Sequence, residues 1–214
     1  MTVLEKPRLR GWLHAGALPM ALVAGFVLVA LGPTVEARLA ATVYAITSGL
    51  LFGVSATYHR GRLSPRVAEI LRRFDHANIY LIIAGTYTPF ALLALDGLPR
   101  VLVLAVIWTG ALAGVLFKVC WKGAPRWLST VLYIALGWVA AFVLPQLMDG
   151  AGVAALVLVI VGGVLYTAGG IVYGVRRPDP SPKWFGFHEV FHAFTVVAYI
   201  VQYVAVSFVV YSAA

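Results

Sequence analysis

Charge is what this sequence has least of. Only 11% of its 214 residues are Asp, Glu, Lys or Arg, against about 25% in soluble domains. A chain this poor in charge and 62% hydrophobic cannot cover a water-facing surface. Acidic residues are the scarcer sign, eight against sixteen Lys and Arg. The resulting net charge of +8 does not point to nucleic acid, because the basic residues lie in short loops between apolar runs of roughly 18–22 residues. Cysteine is almost absent. The lone Cys120 excludes an internal disulfide, gives no sign of an oxidising compartment, and reads as a small apolar residue in a span. Missing too are an internal repeat and any polar stretch long enough for a soluble second domain, so residues 1–214 read as one membrane domain. The first apolar run, Ala15–Leu31, follows Lys6, Arg8 and Arg10 as a signal peptide would. No clean small-x-small cleavage site follows it, so it reads as an uncleaved first span.

What the chain does have is seven apolar spans, predicted at about 14–31, 37–58, 75–95, 98–119, 127–147, 153–175 and 187–211. The expected fold class is all-α, a polytopic seven-transmembrane helix bundle. Residues 66–73 predict a short interfacial helix ahead of the third span, and Gly85 with Pro89 predicts a kink within it. Residues 176–183, with prolines at 178, 180 and 182, cannot be helical throughout. Fourteen of the sixteen Lys and Arg fall on one set of loops: Lys6 to Arg10, Arg60 to Arg73, Lys118 to Arg126, and Arg176 to Lys183. The alternate loops hold only Arg38 and Arg100. Positive charge marks the cytoplasmic side, so the N-terminus is expected inside and the C-terminus, after an odd number of spans, outside. Trp12, Trp121, Trp127 and Trp184 sit near predicted cytoplasmic ends, as an aromatic belt would. Gly49/Gly53, Gly110/Gly114 and Gly170/Gly174 are GxxxG pairs that suit close helix packing.

The chemistry gathers on His188-Glu189-Val190-Phe191-His192. Two histidines four apart share one helix face, about 6 Å apart along the axis, which is a metal-ligand spacing. The predicted topology brings His59 at the end of span 2, Asp75 at the start of span 3, and His188 and His192 in span 7 to one cytoplasmic depth. Ionisable groups at a membrane span are costly and default to function. Three histidines with an open position for water form a catalytic zinc arrangement. Asp75 would orient that water or take its proton, and Ser55, one turn before His59, would hydrogen-bond the water or an oxyanion. Bland alternatives stand beside these roles. His14 alone is an interfacial structural residue, and His76 points about 100° from Asp75 on a helix. Ser55 could be a packing hydroxyl, and Asp75 could cap span 3. His188-Glu189-x-x-His192 also matches the HExxH of metalloproteases, with Glu189 as base. The motif opens the last span and no later ligand follows, so Glu189 reads as a solvated or capping residue.

The pattern Ser55-Ala-Thr-Tyr-His59, Asp75 ahead of Gly85-Thr86-Tyr87-Thr88-Pro89, and His188-x-x-x-His192 resembles the haemolysin III proteins over essentially the whole chain. These are the bacterial branch of the progestin and adipoQ receptor (PAQR) family. The resemblance implies zinc (Zn2+) held by His59, His188 and His192, with Asp75 and Ser55 on the zinc water. It also implies residence in the bacterial inner membrane and kinship with a wider group of proposed membrane hydrolases that includes alkaline ceramidases. No long N-terminal domain of the receptor kind precedes the spans, which argues against an adiponectin-like ligand. The expected activity is zinc-dependent hydrolysis of an amide or ester in a membrane lipid reaching the site at inner-leaflet depth. The rival expectations are a zinc-stapled sensor or regulator of lipid state, and a cytolysin or channel. A channel would show polar residues at mid-membrane depth, where this chain is nearly all apolar.

Overall fold

The computed structural model describes residues 7–121 and 123–213, so Lys6 and Lys122 of the basic loops lie outside the described residues. Helices account for almost all of it: α1 (Trp12–Leu31), α2 (Val35–Arg60), α3 (Pro65–Ala94), α4 (Gly97–Cys120), α5 (Arg126–Gly137), α6 (Leu144–Val175) and α7 (Phe187–Tyr211). A 3₁₀ segment, Trp138–Val143, joins α5 to α6. Among the described residues the one β pairing is an isolated bridge between Ser181 and Phe185, inside the proline-rich loop that was expected not to be helical.

Among the described residues, six helices are long and apolar enough to cross a membrane, Arg126–Val175 counting as one stretch of 50 residues. Their outward faces are apolar: Phe26 is 73% exposed, Val35 74% and Phe142 85%. A perimeter of that kind is stable only against lipid. The four tryptophans expected in an aromatic belt are all exposed at helix ends.

α3 is the most enclosed of the long helices and touches α2, α4, α5, α6 and α7. It differs from expectation at its start. No separate interfacial helix forms over residues 66–73, because α3 runs unbroken for 30 residues from Pro65. Ser64 and Pro65 are good starting residues, nothing between Arg73 and Asp75 can break a helix, and Glu69 pairs with Arg73 one turn on. At about 45 Å, α3 exceeds a hydrocarbon core of about 30 Å. Pro89 lies inside α3 and the helix continues through it.

The predicted span at 127–147 is also modified. α5 gives way to the 3₁₀ segment at Trp138. The cause is a side chain from α3. Tyr87 places its hydroxyl in the break, donating to the Gly137 carbonyl at 2.7 Å and accepting from the Ala140 amide at 2.7 Å. Further on, Gly152 has φ 80°, a conformation that interrupts helix geometry and favours glycine. Residues on either side of that interruption pack together: Gly170 and Gly174 face Thr130, and the Trp138 indole donates to Thr167 at 2.9 Å.

The small residues act where helices approach most closely. A Cβ on Gly114 would meet the Tyr80 ring at 2.4 Å, and one on Gly85 would meet Thr47 Oγ1 at 2.0 Å. Gly49 and Gly53 face Leu22 and Leu18 of α1. Each predicted GxxxG pair therefore turns to a neighbouring helix, against side chains rather than bare backbone.

Candidate metal centre

The site is built where α2 ends and α7 begins. His59 is in the last turn of α2, and His188 and His192 are one turn apart at the start of α7. Ten residues of α3 precede Asp75, so it lies inside that helix and cannot be its cap. The imidazole ligand atoms of His59, His188 and His192 all lie within 4.8 Å of one another. His188 Nε2 and His59 Nε2 are 3.2 Å apart. Nitrogens bound tetrahedrally to zinc at about 2.0–2.1 Å stand roughly 3.3 Å from one another, so that pair matches a coordination edge. His192 is 2% exposed, and its Nδ1 is buried without a hydrogen-bond partner among the described residues. On donor type and separation, these residues fit a zinc ion.

Asp75 stands beside them, its Oδ2 3.6 Å from His59 Nε2. Both side chains are shielded, at 4% exposure for His59 and 12% for Asp75. Ser55 is buried, and its Oγ lies 2.8 Å from His14 Nδ1. His14 is thus part of the cluster rather than an isolated interfacial residue. It is 2% exposed and stacks flat on His192, with ring centroids 3.7 Å apart and planes within 6°. Its predicted depth, the cytoplasmic end of span 1, was the available clue, being the same depth that grouped the other residues.

Two neighbours turn away from the centre. His76 holds Nδ1 2.6 Å from the Arg72 carbonyl, to which it must donate, and Nε2 2.8 Å from the Tyr173 hydroxyl. Glu189 is only 1% exposed, so it is not solvated. One oxygen pairs with Arg10, and the other accepts from the Gly186 amide at 2.8 Å, capping α7. The same N-terminal segment is laced to the loop before α7, with Arg8 N donating to Lys183 O at 3.0 Å and Leu9 N to Trp184 O at 3.1 Å. With both oxygens engaged, Glu189 is not placed to serve as a base. Glu189→Gln is expected to keep the metal and to lower stability by about 1.5–3 kcal/mol, the worth of a hydrogen bond to a charged group. Melting of the detergent-solubilised protein, read with its metal content, checks this; loss of metal would place Glu189 among the ligands.

A cavity of about 150 Å³ starts at this cluster. His14, Ser55, Asp75, His188 and His192 line it, and so do Phe90, Leu95, Val103 and Leu147 far along the bundle. From Asp75 to Leu95 along α3 is about 30 Å. The polar groups therefore sit at one end of a long apolar slot. Such a slot suits a chain-like apolar ligand with its reactive polar group at the histidines.

Residues 2–203 match the family model described as Haemolysin-III related. The chain is 36% identical over 140 residues to the protein named Hemolysin-3 from Bacillus cereus, across 65% of this chain and 64% of that protein. It is 32% identical over 155 residues to the Hemolysin-3 homolog of Bacillus subtilis (strain 168), across 72% and 70% of the two chains. With its set of apolar helices, this makes the protein a multi-pass bacterial membrane protein. A family match over nearly its whole length leaves one assignment: the chain belongs to the haemolysin III family.

Proposed function

We propose that the protein is a zinc-dependent hydrolase of a lipid amide or ester, working at the cytoplasmic side of the inner membrane. One observation carries this reading: three imidazoles within ligand distance, with a shielded carboxylate beside them, stand at the end of a long apolar slot. In this reading the chain crosses seven times. Arg126–Val175, about 75 Å of chain if wholly helical, turns back at Gly152 and crosses twice. The basic loops put the N-terminus inside and the C-terminus outside.

His59, His188 and His192 would hold the ion. Zinc held there would supply a Lewis acid that lowers the pKa of water toward about 7. The protein's own groups handle the rest. The slot takes the acyl chain and sets the carbonyl at the polar end. Asp75 accepts the proton released as the water oxygen bonds the carbonyl carbon. Ser55 gives a hydrogen bond where negative charge develops. Asp75 then returns its proton to the departing amine or alcohol as the C–N or C–O bond breaks, so one water is consumed and a free fatty acid is released.

The principal rival is a zinc staple in a lipid sensor, with the same ligands and no turnover. A cytolytic pore, which the relatives' names suggest for them, finds no support in a slot lined mainly by apolar side chains. The deciding experiment presents purified, zinc-loaded protein with mixed micelles of a long-chain N-acyl amide or a long-chain acyl ester and measures free fatty acid. Catalytic release from at least one, abolished by a chelator and restored by zinc, is expected. Stoichiometric zinc without release from either would favour the staple.

A further inference from the structure

His14 is the one ionisable residue in α1, a helix otherwise made of apolar residues, glycine and one proline. It is held on several sides. Its Nδ1 meets Ser55 Oγ at 2.8 Å, its face lies on His192 at 3.7 Å, and its ring meets Phe52 edge-on at 5.2 Å and 80°. Its Nε2 is buried with no partner among the described residues. If packing were its only duty, a phenyl ring would fill the same space and leave no buried nitrogen unpaired. The polar contact therefore needs its own reason.

Hydrogen-bond directions supply one. A neutral imidazole carries one N–H; on Nδ1 that proton has a partner in Ser55 Oγ, and on Nε2 it has none among the described residues. With its oxygen accepting from His14, the Ser55 hydroxyl keeps its own proton for the cavity that Ser55 lines.

We infer that His14 is a positioning residue of the metal site: its Nδ1–H holds the Ser55 oxygen, and its face holds the His192 ring in plane. This rests on the hydrolase reading for its effect on turnover, and on the imidazole cluster alone for its effect on the metal's surroundings. Loss of a group that orients a metal-binding side chain in this way typically changes activity or metal affinity by about 10–100-fold.

The test uses the full-length protein in detergent, loaded with Co2+ in place of zinc, and three variants. His14→Phe keeps a flat ring against His192 and removes the donor. His14→Asn keeps an N–H near the Nδ1 position. Ser55→Ala removes the hydroxyl. All three are expected to bind one equivalent of Co2+. His14→Phe should alter the visible d–d spectrum in the same sense as Ser55→Ala, and His14→Asn should return it toward wild type. In the micelle assay, His14→Phe should lower kcat by about 10–100-fold with KM unchanged, with partial rescue in His14→Asn and no further loss in the Ser55→Ala background. A His14→Phe spectrum that superimposes on wild type overturns the inference. So do loss of the metal, which would make His14 a ligand, and fully additive losses with Ser55→Ala. Absence of any fatty acid release by the wild type overturns the hydrolase reading instead, and the Co2+ spectra still decide the role of His14.

Discussion

His192→Ala should empty the metal site. His192 is the most buried of the three clustered histidines, its ring meets His59 and His188, and its Nδ1 has no hydrogen-bond partner among the described residues. Removing one of three ligands should exceed the roughly 10–100-fold loss of affinity that an outer partner causes. Purified wild type is expected to carry about one zinc per chain and the variant close to none. Stability gives a second readout. A ligand that binds only the folded state raises stability with its concentration, so added zinc should raise the melting temperature of the wild type and leave that of His192→Ala unmoved. His76→Ala is the control, because both His76 nitrogens are engaged elsewhere, and it should retain metal. Full zinc occupancy in His192→Ala would sink the three-histidine centre.

Asp75→Ala should separate chemistry from binding. Asp75 lies 3.6 Å from His59 but outside the trio whose nitrogens converge. Its loss should leave zinc near one per chain while fatty acid release falls by about 10²–10⁴-fold, the usual contribution of a positioned acid–base group. Asp75→Asn, which keeps the shape and removes the basic oxygen, should be nearly as slow. If Asp75→Ala binds zinc and matches the wild type in turnover, proton transfer lies elsewhere and the staple reading gains. The two experiments fail independently: the first addresses whether a metal is held, the second what is done beside it.

Much of this arrangement could be read from local chemistry. Apolar runs located the helices, and the lopsided Lys and Arg grouped His59, Asp75, His188 and His192 at one depth, where the first, third and fourth converge on ligand distance and Asp75 stands next to them. What escaped was set by distant partners. The start of α3 was mistaken because residues 66–73 are amphipathic enough to look interfacial, yet no breaker separates them from the span. The 3₁₀ segment follows from a Tyr87 hydroxyl on another helix, and no pattern within 127–147 announces it. Glu189 resembles a protease base until Arg10, 179 residues away, is seen to hold it. His14 looked ordinary because a single imidazole gives no spacing to read, although its depth was already known.

The wide separation of these partners has a consequence in time. His59 and His188 are 129 residues apart, and Arg10 must wait still longer for Glu189. At a synthesis rate of about 5–20 residues per second, His188 follows His59 by roughly 6–26 s. Throughout that interval the earlier helices can insert and pair, but the nascent chain presents one ligand instead of three. The three-imidazole cluster is therefore complete only once α7 arrives, and Arg10, which braces α7, is made well before it. Any metal held by this cluster would be loaded late in biogenesis, only after α7 has met α2.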